Sequence, residues 1–178
     1  MVLSLLVITA PSFADDIQDF QIEGISIGDS LLDYFSKEYI QENKYFPAKK
    51  FTKFASIFYQ KNLKNYEDLM INFKDKNYEI AAISAFIKIK NIEDCKIKKK
   101  KIVKSVSVLF LNAKRSEYTR PYFLDPNTLV YSTVWLLDEE GFVRVACYDW
   151  SKESENPKEL RIDVANKEYK LFLDSVDE

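Results

Sequence analysis

The alternation of apolar and polar positions predicts strands through most of the chain. Within Tyr66–Phe73, the apolar residues Leu69 and Ile71 take alternate positions, the period of two expected of a half-buried strand. Tyr78–Lys90 is almost continuously apolar, which is typical of a central strand covered on both faces. The full set of predicted strands is Thr52–Gln60, Tyr66–Phe73, Tyr78–Lys90, Leu129–Leu137, Phe142–Trp150 and Leu160–Val164.

A short helical hairpin is expected before the first strand. Ser30 is the predicted N-cap of its first helix, because Asp29 places negative charge at the positive helix end and Asp33 forms an acidic variant of the capping box. Ser36 offers a second start, with Lys37–Asn43 as another short helical segment.

A long helix is predicted after the third strand. Asn91 is a suitable N-cap, and apolar residues from Ile92 to Ala113 recur at the 3.6-residue spacing of a helix. The lysines of this segment lie mostly off that apolar stripe. Asn166 predicts the start of a final short helix.

The order of these elements predicts an α+β fold. It reads β-β-β-α twice after the N-terminal helices, if Arg115–Asn127, which contains Pro121 and Pro126, is a loop. We expect a single antiparallel sheet of about six strands with helices packed on one face, forming one domain over residues 15–178.

The hairpin around Asp138–Gly141 predicts which sheet face the helices cover. With Leu137 opposite Phe142, one face carries Leu136, Val134, Ser132, Val143, Val145 and Cys147, and we assign it to the helices. A bulge at Gly141 would scramble this pairing. Cys147 and Cys95 would then point into the same interface, which suggests a disulfide, with two free buried cysteines as the alternative.

The opposite face of this hairpin is rich in aromatic residues. Arg144 over Trp135 could form a cation–π contact, and the aromatic pairs could simply stabilise the sheet. The functional alternative is an exposed platform that binds a ligand or partner. The candidate binding residues are Tyr131, Trp135, Arg144, Tyr148, Trp150 and Arg161.

The first residues have the pattern of a targeting segment. Residues 1–14 combine an apolar run with small residues at the −3 and −1 positions of a cleavage site, so we interpret them as a signal peptide, although no basic residue precedes Lys37. The run is too short to span a bilayer, which needs ~20 apolar residues. A periplasmic or secreted location is therefore expected, without a transmembrane segment.

The amino-acid composition argues against several classes of binding and catalysis. A net charge of −2 argues against a general nucleic-acid binder. The absence of histidine removes the usual general base and the commonest metal ligand. Gly28-Asp29-Ser30-Leu31 spells the nucleophile signature of GDSL esterases, but no histidine can activate Ser30. We therefore expect no enzyme activity, no metal and no cofactor.

The run Lys98–Lys101 is interpreted as a solvated helix face rather than a lipid or nucleic-acid patch.

Three sequence contexts carry a resemblance. The segment I-E-G-I-S-I-G-D-S-L-L-D-Y-F at Ile22–Phe35, with N-I-E-D-C-K at Asn91–Lys96 and V-A-C-Y-D-W-S at Val145–Ser151, resembles a family of uncharacterised small exported proteins of Pelagibacter-like marine alphaproteobacteria. The resemblance implies export and a two-cysteine design, and it implies no particular activity.

These observations favour a non-enzymatic interaction module of the cell envelope, whose partner is an unknown envelope protein. The alternative is a periplasmic small-molecule-binding domain with a pocket between helices and sheet, which a well-formed pocket would favour. A hydrolase is a remote third possibility.

Overall fold

A computed structural model describes residues 17, 20–47, 52–137, 141–154 and 156–176. Its centre is a seven-stranded antiparallel sheet in the order β3-β4-β5-β9-β8-β7-β6, beside a small sheet formed by β1 and β2. The strands are β1 (Gln21–Ile22), β2 (Ile25–Ser26), β3 (Phe54–Tyr59), β4 (Asp68–Lys74), β5 (Ile80–Lys88), β6 (Lys114–Tyr122), β7 (Asp125–Leu137), β8 (Gly141–Asp149) and β9 (Glu159–Asn166). The helices are α1 (Lys37–Asn43), α2 (Ile92–Leu109) and α3 (Lys167–Val176). The predicted signal peptide, residues 1–14, lies outside the described residues.

The N-terminal stretch folds as a hairpin followed by a 3-10 turn. Gly24, with φ of +82°, allows the reversal between β1 and β2. The first helix of the predicted helical hairpin is only the 3-10 turn Leu31–Asp33, but Ser30 caps it as predicted: its Oγ accepts a hydrogen bond from the Leu32 N–H at 3.3 Å. The Asp29 carboxylate accepts from the Ser26 N–H at 3.0 Å. The Asp33 side chain is exposed and makes no capping contact within the described residues, so the predicted capping box does not form.

The predicted helix starts at Ser36, Asn91 and Asn166 are confirmed. Ser36 Oγ accepts from the Tyr39 N–H at 3.2 Å at the start of α1. Asn91 caps α2, and the Asn166 side chain accepts from the Tyr169 N–H at 2.8 Å at the start of α3. These side chains satisfy N–H groups that a helix start leaves without an intrahelical partner.

One sheet face carries the main apolar core and is covered by α2. Cys95, Val103 and Val106 of the helix are buried against inward residues of the strands. The predicted disulfide is present, joining Cys95 of α2 to Cys147 of β8 with their Cα atoms 5.9 Å apart. It ties the first turn of the helix to the sheet.

The helices do not all lie on one face, which corrects the predicted layering. Tyr169 of α3 packs edge-on against Phe54, with ring centroids 5.1 Å apart, and joins a cluster with Ala82 and Ala165. Because strand side chains alternate between faces, these residues belong to the face opposite α2. The first face has α2 over it, and α3 covers one end of the second.

The segment predicted as a loop, Arg115–Asn127, instead forms β6 and the start of β7. β6 is the outer strand and pairs only with β7 within the described sheet. Eight of its nine residues are exposed, so it has no buried face to produce an apolar pattern. The chain order after α1 is therefore β-β-β-α followed by β-β-β-β-α, and only the first unit matches the predicted repeat.

The predicted pairing of β7 with β8 is wrong by one residue. Leu137 lies opposite Gly141, and Trp135 lies opposite Val143. Gly141 has φ of +127°, and a Cβ there would come 1.9 Å from the Ala165 carbonyl oxygen, so this position belongs to the strand and requires glycine. A shift of one residue moves every β7 side chain to the other face.

Candidate functional site

The six candidate binding residues do not share one surface. Tyr131 and Trp135 lie on the α2 face, since they pair with Cys147 and Val143 of β8. Trp135 is only 1% exposed and forms part of the main core. The remaining four, Arg144, Tyr148, Trp150 and Arg161, lie on the opposite face. The single exposed aromatic platform is therefore contradicted, and the predicted contact of Arg144 with Trp135 does not form.

On the opposite face, a buried polar network fixes Arg144. Its Nε donates to Asp163 Oδ2 at 2.9 Å, and Ser84 Oγ donates to the other carboxylate oxygen at 2.6 Å. The Asp163 side chain is 8% exposed. Although burial disfavours the charged guanidinium, the neighbouring Asp163 carboxylate raises the pKa of Arg144 above its ordinary value.

Arg161 lies between two aromatic rings on this same face. Its guanidinium carbon is 4.2 Å from the Tyr148 ring centroid and 4.7 Å from that of Phe86. It also donates to Glu159 at 2.5 Å, and burial raises the pKa of the Glu159 carboxyl against the opposing effect of Arg161. Trp150 stacks on Tyr148 at a centroid distance of 5.4 Å. Ring contacts and one ion pair hold these side chains together, which fits a role in stabilising the sheet, although Trp150 Nε1 and Arg161 Nε have no hydrogen-bond partner among the described residues.

A groove on the α2 face is the clearest open site. α2 packs on β8 and β9, so the flank of its first half forms one wall and the surface of β6 and β7 forms the other. We call it the α2–β6 groove, and its volume is about 650 Å³. Its lining residues are Lys96, Lys99, Lys100, Val103, Arg115, Glu117, Tyr118, Thr119, Tyr131, Ser132 and Thr133.

The helical wall of the α2–β6 groove is basic. Lys96, Lys99 and Lys100 recur at helical spacing with Val103, so one side of α2 presents them together. Lys96 Nζ lies 4.4 Å from the Tyr131 ring centroid and also binds Glu93 at 2.9 Å. Burial lowers the pKa of Lys99, the Arg115 charge acts in the same direction, and Glu117 opposes both.

The strand wall adds one arginine, one carboxylate and hydroxyl groups. Arg115 of β6 forms an ion pair with Glu117 two residues along the same strand. Thr133 Oγ1, from β7, donates to the same Glu117 oxygen at 3.4 Å. The Arg115 guanidinium carbon lies 5.9 Å from the Trp135 ring centroid, so Arg115 takes the contact that was predicted for Arg144.

The sequence pattern did not indicate this groove. The α2 lysines were interpreted as a solvated face, and Arg115 and Glu117 fell in a predicted loop. A signal was present in the spacing of Lys96, Lys99/Lys100 and Val103, which places three lysines beside the apolar stripe. Their partner wall could be recognised only with β6 assigned as a strand.

The described residues offer little for other chemistry. Ser30, the residue of the esterase-like signature, acts as a helix cap. Among these residues there is no group of three or more cysteine or acidic side chains placed to hold a metal ion. No described helix is long and apolar enough to cross a membrane.

Comparisons of the chain with protein-family models, with curated proteins and with solved structures find no match. The resemblance drawn from the three sequence contexts stays a prediction. The geometry of the α2–β6 groove suits anionic groups, which four cations and nearby hydroxyl-bearing residues can attract and hold.

Proposed function

We propose that this chain is an exported, non-enzymatic binding protein, periplasmic or secreted, which holds a small anionic ligand in the α2–β6 groove. One observation carries the proposal: four cationic side chains and one carboxylate line this groove, in a chain whose net charge is −2. A basic cleft in an acidic protein concentrates anions there. The volume of about 650 Å³ lies within the range of small-molecule sites.

The groove supports small-molecule binding better than the interaction module that the sequence favoured. That module would use a sheet face or edge, and the aromatic patch expected to favour it is not exposed, since Trp135 and Tyr148 are 1% and 2% exposed. Residues this deeply buried give a partner little surface to contact. The α2–β6 groove instead combines open volume with convergent polar groups.

The Cys95–Cys147 disulfide supports the exported location, since disulfides persist in oxidising compartments. The absence of histidine and the capping role of Ser30 support a binding role without catalysis.

Two matched double substitutions on one helix test the proposal. Lys96→Gln/Lys99→Gln removes two lysines of the groove, and Lys98→Gln/Lys101→Gln removes two that do not line it, with the same spacing and charge change. Citrate and inorganic phosphate serve as anionic probes, glucose serves as a neutral one, and affinities are measured by calorimetry at low salt.

We expect the groove variant to bind the anions about tenfold more weakly, because each lysine supplies a charge-assisted contact. The control variant should stay close to wild type, and glucose should bind to none of them. Equal losses in both variants would indicate general attraction to a basic helix and would contradict the proposal, as would no anion binding by the wild-type protein.

A further inference from the structure

The α2–β6 groove already contains one carboxylate. Glu117 is the only acidic residue among the described groove-lining residues. It binds the Arg115 guanidinium, and Thr133 Oγ1 donates to it at 3.4 Å. Lys99, on the facing wall, is close enough for the charges of Arg115 and Glu117 to affect its pKa. The carboxylate therefore lies in a groove that carries cations on both walls.

We propose that the ligand carries a carboxylate which takes the place of Glu117 on Arg115, so that Glu117 is an internal competitor for the site. This inference rests on the proposed anion-binding function and adds the chemical class of the ligand. Arginine presents its N–H donors in a planar fork that matches the two oxygens of a carboxylate. The donor set that holds Glu117, one guanidinium and one hydroxyl, can hold a ligand carboxylate in the same way.

The exposure of the pair makes this exchange feasible. The Arg115 and Glu117 side chains are 45% and 57% exposed, and ion pairs so open to water contribute little to stability. Glu117 can therefore turn into solvent with a small loss, while Arg115 keeps a carboxylate partner. A ligand with a second anionic group would in addition reach Lys96 or Lys99 on the facing wall.

The same exchange is not available on the other sheet face. Asp163 is 8% exposed and is held by both Arg144 and Ser84, so an external carboxylate would have to displace a buried group. The replaceable pair is thus the one inside the groove.

The test compares citrate affinities of the wild-type chain with those of Glu117→Gln and Glu93→Gln. Glu93 pairs with Lys96 but does not line the groove, so its substitution removes one carboxylate beside a groove cation without freeing Arg115. We expect Glu117→Gln to bind citrate about two- to fivefold more tightly than wild type, because a competing surface ion pair is removed. The gain in Glu93→Gln should be smaller.

A second substitution locates the bound carboxylate. In the Glu117→Gln background, Arg115→Lys keeps the charge but removes the planar fork, and the gain in citrate affinity should disappear. Equal gains in Glu117→Gln and Glu93→Gln, or a gain that survives Arg115→Lys, would overturn this inference. Failure of the proposed function is a different result: anion binding that is insensitive to Lys96→Gln/Lys99→Gln.

Discussion

Two arginine–carboxylate pairs with similar chemistry occupy contrasting places in this sheet. Arg144 and Asp163 lie on adjacent inner strands, and Ser84 of a third strand completes their hydrogen bonding. Arg115 and Glu117 lie on the outer strand β6, at the wall of a groove. The difference teaches that position in the sheet decides how open a pair is to water: the inner pair joins two strands and is mostly buried, whereas the outer pair is exposed, which is why we propose that a ligand can replace its carboxylate.

Removing the carboxylate of each pair should give the largest difference in the free energy of unfolding. We expect Asp163→Ala to lower the free energy of unfolding by about 3 kcal/mol, because the Arg144 charge, which is 21% exposed, is left without its carboxylate partner. Glu117→Ala should cost less than about 1 kcal/mol, since its pair is exposed. Urea denaturation of both variants measures the difference. Similar losses for the two variants would remove the distinction between the pairs.

Removing the disulfide on the α2 face gives a second comparison between the two sheet faces, this time in both stability and citrate affinity. Cys95→Ser/Cys147→Ser should destabilise the chain by about 2–4 kcal/mol, since the crosslink closes a long loop with a sequence separation of 52. The same variant should also weaken citrate binding, because the first turn of α2, one wall of the groove, loses its tether.

Citrate binding by this variant is measured under conditions where the protein remains folded. An unchanged affinity would show that the position of α2 does not depend on the disulfide. The matched comparison is Asp163→Ala, which should be destabilised by a similar amount yet keep its citrate affinity.

A smaller, pH-dependent effect on stability is expected at Glu159 of the inner strand β9. Burial raises the pKa of Glu159, so the folded state binds its proton more tightly than the unfolded state does. The stability that this proton contributes is fully present below the ordinary glutamate pKa of 4.5 and is lost as the pH rises through the raised pKa of Glu159.

Glu159→Gln should therefore remove part of the decline in unfolding free energy across this pH range. Denaturation curves at several pH values for wild type and Glu159→Gln measure it. A parallel pH profile in wild type and Glu159→Gln would contradict the assignment.

The strands and helices that were predicted correctly are those whose burial produces an apolar pattern in the sequence. β5 is buried along nearly its whole length, and its continuous apolar run was recognised as a central strand. Helix starts with capping side chains, such as Asn91, were also found. The Cys95–Cys147 disulfide followed from a correct assignment of Val143, Val145 and Cys147 to the α2 face.

Two features of the sheet were predicted wrongly: the exposed strand β6 and the register between β7 and β8. β6 is an exposed edge strand that contains Pro121. Its residues do not alternate between apolar and polar, and no short turn motif marks where it ends. The β7–β8 pairing depended on whether Gly141 belongs to the strand, which its close approach to Ala165 decides. Both errors concealed the α2–β6 groove, since its strand wall consists of β6 and β7.

The most direct test of the account is a map of where a carboxylate ligand binds. Citrate is titrated into the isotope-labelled protein, and backbone amide shifts are followed by NMR. If citrate binds in the α2–β6 groove, the largest shifts should lie in Arg115–Thr119 of β6 and Lys96–Val103 of α2, while the amide shifts of Arg144 and Asp163 should not change. Shifts centred on Arg144 and Arg161, or spread evenly over the lysines of the surface, would contradict it.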